Sequence, residues 1–119
     1  MSAQSYSGSC HCGKVSYQVD LDLTRPAISC NCSICRRAGT LLSFVPADDF
    51  KLQSGEEELV VYQFAQKHID HLFCRSCGIK SFARGTSKDG AKMIAINVRC
   101  LADVDIDEVP VVKYDGAAV

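Results

Sequence analysis

No stretch of this sequence approaches the roughly 18 consecutive apolar residues that a membrane-spanning helix needs, so no membrane partner is expected. There is no surplus of positive charge either. The formal net charge is −1 over 119 residues, and no basic tract offers a handle for a polyanion, which argues against nucleic acid. The opening "MSAQSYSGSC" has neither the basic start nor the apolar centre of a secretory leader, and the expected address is therefore the cytoplasm, where thiols stay reduced. No serine, histidine and carboxylate constellation suggests a hydrolytic centre. No repeat, low-complexity segment or shift in composition marks a boundary. A single domain over residues 1–119 is expected, burying roughly two-thirds of its unfolded surface.

Cysteine is what the chain has in excess, eight residues of 119. In a reducing compartment that points to metal rather than to disulfides. The spacing agrees. Cys10 and Cys12, like Cys30 and Cys32, lie two apart, and an extended chain then turns both thiols to one face. A disulfide within such a pair would close a strained ring. Two thiolates on one zinc ion, each at about 2.3 Å, need to lie only roughly 3.8 Å apart.

Three clusters emerge: Cys10-His-Cys12, Cys30-Asn-Cys32-Ser-Ile-Cys35 and Cys74-Arg-Ser-Cys77. Gly13 and Gly78 follow the first and last, where positive φ lets backbone N–H groups point at sulfur. Seven cysteines divide most simply as four plus three, giving two zinc ions per chain. The triplet chelates one ion locally, and the two distant doublets share the other. A closed four-cysteine site is typical of structural zinc, whereas three protein ligands with an open vertex are typical of catalytic zinc. The alternative for the triplet is a second closed site completed by Cys100, His68, His71 or His11. Cys100 fits a small buried residue better than a ligand. His68 and His71 fit strand-surface or packed positions, and strand alternation turns His11 away from its neighbouring ligands. Arg36 and Arg37 follow the triplet directly, either as the solvated end of a helical turn or as a clamp for a substrate carboxylate.

Periodicity indicates an all-β chain with one or two short helical turns. "KVSYQVDL" alternates Val15, Tyr17, Val19 and Leu21 as a half-buried strand. Ser33 is the expected N-cap of one helical turn that Gly39 stops. "LLSFV" reads as a buried strand, and "FKLQSGEEELVVYQFA" as a hairpin turning at Ser54 and Gly55. "HIDHLFC", "IKSFARG" and "KMIAINVR" read as three further strands, with an acidic and then extended tail.

With these residues in place, the chain resembles the glutathione-dependent formaldehyde-activating enzymes, also called the GFA or CENP-V domain family. The resemblance runs through "GSCHCGKVSYQV", "CNCSICRRAG", "VPADDFKL", "FCRSCG", "INVRCL" and "KYDG", in that order. It implies a β-tent, coiled antiparallel sheets pinned by zinc. It also implies structural zinc on Cys10, Cys12, Cys74 and Cys77, and catalytic zinc on Cys30, Cys32 and Cys35. The activity it implies is a carbon–sulfur lyase type that joins glutathione to formaldehyde, with Arg36 or Arg37 meeting the glutathione carboxylates. The reading in a different class is a zinc-binding β-tent module without enzymatic activity, binding a protein or a small ligand.

Overall fold

The computed structural model describes residues 3–63, 69–87 and 89–118. In chain order the elements are β1 (Gln4–Ser9), β2 (Ser16–Leu21), β3 (Ala27–Cys30), α1 (Ser33–Ala38), β4 (Leu42–Pro46), β5 (Phe50–Ser54), β6 (Leu59–Tyr62), β7 (Ile69–Cys74), β8 (Phe82–Thr86), β9 (Lys92–Asn97) and β10 (Val111–Tyr114). They form a three-stranded sheet, β1-β2-β5, and a seven-stranded sheet, β10-β3-β4-β9-β8-β7-β6. The chain is mostly β, as its periodicity indicates. Every pairing is antiparallel except that of β10 with β3. No helix among the described residues is long and apolar enough to cross a membrane.

The core lies where the two sheets face each other. Tyr17, Val19 and Leu21 of β2 are buried, while Asp20 between them is exposed, as period-two alternation requires. Against them pack Leu72, Phe82, Ile96 and Val98. Tyr17, Phe50 and Phe82 form an aromatic trio with centroids 4.7–5.7 Å apart. Gly8 pairs with Tyr17 across the β1–β2 ladder, and a Cβ at Gly8 would overlap the Tyr17 ring.

Three local expectations are corrected. The stretch from Phe50 to Tyr62 is not a hairpin: β5 pairs with β2, and β6 pairs with β7 in the other sheet. Ser54 and Gly55 do mark a turn, but Gly55 (φ +95°) lies against Lys14 O and Val15 and sends the chain from one sheet to the other. The N-cap of α1 is Cys32 rather than Ser33: Cys32 keeps an extended backbone (φ −62°, ψ 166°), and helical geometry begins at Ser33. Gly39 does end the helix, at φ 72° and with its N–H donating to Cys35 O at 2.9 Å. The strand read as buried, β4, leaves Phe44 52% exposed because its face of the sheet is uncovered there. The strand β1, polar and rich in serine, carries no periodic apolar signal.

Candidate metal centres and the clefts beside them

Two tight turns, hydrogen-bonded differently but each containing a glycine that returns to a cysteine carbonyl, carry the two doublets. After β1, the Cys10 N–H donates to Val15 O (3.0 Å), Gly13 N–H returns to Cys10 O (3.3 Å), and Val15 N–H points at Cys10 Sγ (3.4 Å). After β7, Cys74 N–H donates to Ile79 O (3.1 Å), Gly78 N–H returns to Cys74 O (2.7 Å), and Ser76 N–H points at Cys74 Sγ (3.4 Å). Gly13 and Gly78 take φ +84° and +79°, which closes each turn at no steric cost. Lys14 Nζ reaches Ser76 Oγ at 3.1 Å and links the two turns.

Together they bring Cys10, Cys12, Cys74 and Cys77 to within 4.8 Å of one another at sulfur. Cys10–Cys12 is 3.6 Å and Cys12–Cys74 is 3.7 Å, against the roughly 3.8 Å of a tetrahedral zinc–thiolate set. The thiols also share protons unevenly. The N–H groups of Cys12 and, less strongly, Ile79 hold Cys77 down to about 6, overcoming its desolvation. At Cys12 the Lys14 N–H favours thiolate, but desolvation and the sulfurs of Cys10, Cys74 and Cys77 outweigh it, raising Cys12 to about 11. Four sulfurs this close resist ionising together unless a cation sits among them. Their spacing and softness fit zinc.

The second cluster forms where β3 passes into α1. Cys30 ends the strand, Cys32 caps the helix, and Cys35 lies one turn on, on the same face as Cys32. Their sulfurs also lie within 4.8 Å of one another, and the Cys32 N–H points at Cys30 Sγ at 3.5 Å. Desolvation opposes ionisation of Cys32. The N–H groups of Cys35 and Ile34, with the neighbouring thiols, overcome it and lower its pKa. Burial chiefly, then Cys32 and Cys30, push Cys35 up to about 12. Among the described residues no further cysteine, histidine or carboxylate joins this set.

Cys100 is half-buried and belongs to neither cluster; burial raises its thiol, which lies by Ser81 on the Cys10 and Cys77 side of the molecule. His11 is exposed and outside the four-sulfur set, and His71 is not in the triplet's set. The expectation for His68 lies outside the described residues.

The carboxy-terminal strand walls the triplet. Tyr114 pairs with Cys30, and Asn31 N–H donates to Tyr114 O (3.2 Å). The Asn31 side chain then holds the tail at two points, donating to Asp115 Oδ1 and accepting from Ala117 N–H, both at 2.9 Å. Gly116 passes so close that a Cβ there would overlap Cys30 Sγ.

Two clefts meet at the triplet, sharing Cys30, Cys35 and Tyr114. One, of about 650 Å³, has a mixed polar and apolar lining that carries Arg36, Arg99, Lys113 and one carboxylate, Asp115. The other, of about 400 Å³, is walled mainly by apolar side chains, with Lys80 and His71 as its polar groups besides the sulfurs. Lys80 Nζ lies 2.9 Å from His71 Nδ1. Desolvation first, then the Lys80 charge, lowers His71 to about 4, so the ring is neutral and Nδ1 accepts from the ammonium. Burial also lowers Lys80, opposed by Cys35 and Cys32.

Arg36 and Arg37 part company, since adjacent helical positions point about 100° apart. Arg36 enters the larger cleft. Arg37 lines a separate depression with Ile34 and Tyr62, its guanidinium donating to Ser33 O at 2.9 Å. Lys80, Arg99 and Lys113 escaped the sequence reading because only the fold brings them to the triplet. Their one local hint is a cation beside an apolar strand.

These features define a mostly β protein with two cysteine clusters that could hold metal ions. The chain belongs to the glutathione-dependent formaldehyde-activating enzyme family, whose sequence profile matches residues 5–112. It is also similar to a Rhodobacter sphaeroides protein of known crystal structure, at 34% identity and a TM-score of 0.77. That match covers 89% of this chain and 99% of the other.

Proposed function

We propose that this chain is a zinc-dependent enzyme of carbon–sulfur lyase type, adding a thiol such as glutathione to a small aldehyde. The observation that carries this reading is the triplet's position between a cleft in which three cations outnumber one carboxylate and an apolar cleft holding Lys80. In it, Cys10, Cys12, Cys74 and Cys77 would hold a structural zinc, and Cys30, Cys32 and Cys35 would hold a second zinc at the junction of the two clefts. Zinc there supplies a soft position that favours thiolate at neutral pH.

The chain's own residues do the rest. Arg36, with Arg99 and Lys113, meets the carboxylates of a peptide thiol in the larger cleft. Lys80 donates a hydrogen bond to the aldehyde oxygen, where negative charge develops as the carbon–sulfur bond forms. His71, neutral, accepts from Lys80 and keeps its ammonium aimed into the cleft. The apolar wall excludes water and strengthens both interactions. The thiol proton ends on the former carbonyl oxygen, so the sum is thiol plus aldehyde giving hemithioacetal.

The aldehyde adduct of glutathione also forms unaided, so the test is acceleration. Exchange between free and hydroxymethylated glutathione, followed by two-dimensional proton exchange NMR, should speed up with zinc-loaded protein and return to background with Cys35→Ser. No acceleration by protein carrying two zinc ions would overturn the enzymatic reading.

A further inference from the structure

The apolar cleft is longer than a one-carbon aldehyde requires. On the face of the large sheet that packs under the triplet, strand register sets Phe44 beside Ala95, Ala95 beside Ala83, and Ala83 beside His71, the last three buried. The next row sets Met93 beside Gly85 and Gly85 beside Ile69. The middle strands, β9 and β8, therefore present Ala95, Ala83 and Gly85 together with Met93, between the larger side chains of Phe44 and Ile69. Small residues between large ones make a trough. It continues the 400 Å³ cleft into a second hollow of about 290 Å³, the two sharing Phe44, Ile69, Ala83 and Ala95.

Among the described residues, the charge on this side of the trough is Lys80. Lys80 stands at the triplet end, while Arg84, between Ala83 and Gly85 in β8, is turned to the opposite face, over the Phe82 ring and to Glu56, with Nη2 to Oε1 at 3.2 Å. Phe44 and Ile69 remain 52% and 45% exposed. An apolar surface that no described residue covers, running from the triplet, fits the apolar part of a substrate better than it fits water.

We infer that the aldehyde carries an unbranched apolar substituent of several carbons, with its carbonyl at Lys80 and its chain along Ala83 and Ala95. This rests on the thiol-addition reading and names its electrophile. The step balances without a further reactant: the carbon–sulfur bond forms, the carbonyl π bond becomes a C–O–H, and the thiol proton moves to that oxygen. The peptide thiol keeps to the larger cleft, and the two substrates meet where the clefts join.

S-alkylglutathiones imitate the adduct and permit a test by binding alone. Titration calorimetry on zinc-loaded protein should show S-hexylglutathione binding at least about tenfold tighter than S-methylglutathione, since each buried methylene contributes about threefold to fourfold. Ala83→Leu fills the trough and should bring the hexyl conjugate down to the methyl one, leaving the latter unchanged. Ile69→Ala alters an exposed wall, serves if Ala83→Leu fails to fold, and should weaken only the hexyl conjugate. Equal affinities in the native protein would overturn the inference while leaving thiol addition standing. If neither conjugate nor glutathione binds, the thiol reading falls and this inference with it. A dimer in sedimentation velocity that Ile69→Ala dissociates, without any chain-length effect, would instead assign the trough to a second copy of the chain.

Discussion

Lys80 and His71 lie side by side at the mouth of the apolar cleft, Nζ 2.9 Å from Nδ1, with three cysteine sulfurs lining the same space. No carboxylate lines that cleft among the described residues. The ammonium therefore has the cysteine cluster, and any oxyanion brought to it, as its natural counter-charges.

Lys80→Met should lower the rate of adduct exchange about 100-fold, the scale on which a single oxyanion donor acts. The thiol affinity, read from the charge-transfer band of Co²⁺-substituted protein, should change little. Lys80→Arg should recover part of the rate. Equal loss of rate and of thiol binding in Lys80→Met would place the lysine in holding the cluster rather than in handling the aldehyde.

The low pKa of His71 carries a stability consequence. Desolvation and the neighbouring Lys80 depress it to about 4, while Asp70 pulls the other way; unfolded histidine titrates near 6.5. Between those values the unfolded chain binds a proton that the folded chain refuses, so stability falls as pH falls from about 6.5 to about 4 and levels below. His71→Gln should lack that component. Thermal melts of both proteins across this range should converge toward acid, and a pH-independent gap would overturn the assignment.

Much of this site could be read from spacing. Both doublets, the triplet and the glycines that close the two knuckles are local patterns, and the β-strands from Ser16, Ile69, Phe82 and Lys92 follow from alternation. What stayed hidden depends on partners. Ser54-Gly55 looks like a hairpin turn because a turn is indeed there, yet nothing local says that β5 and β6 leave for different sheets. Lys80 is likewise unremarkable in sequence; it lies in the connection before β8, and only the fold brings it against His71 and into the cleft beside the triplet.

The two cysteine clusters should fail differently. Protein purified without chelator should carry two zinc ions per chain by mass-spectrometric metal analysis. Cys74→Ser opens a site that ties β7 to the turn after β1, and metal-binding free energy is folding free energy there. A melting point lower by ten degrees or more is expected, on the order of the loss of a few kcal/mol in a chain this size. Cys35→Ser disturbs a chelate whose ligands span six residues of chain, so the fold should largely survive with one zinc lost. Equal collapse of the two variants would mean that both ions are structural.

Asn31 is the fastener between the triplet and the tail. Its side chain donates to Asp115 and accepts from Ala117 N–H, and the segment so held presses Gly116 onto Cys30 Sγ. Asn31→Ala removes both bonds, each worth about 1 kcal/mol. Hydrogen exchange at Ala117 should accelerate about tenfold, with the β7 amides unchanged. Gly116→Ala acts in the opposite sense, keeping the fastener and driving a methyl group into the sulfur. Zinc should then leave the triplet first when a chelator is titrated, while the four-cysteine site keeps its ion. Faster exchange at Ala117 without any change in thiol affinity would show the tail to be a cover only; weakened thiol binding in both variants would make it one wall of the thiol site.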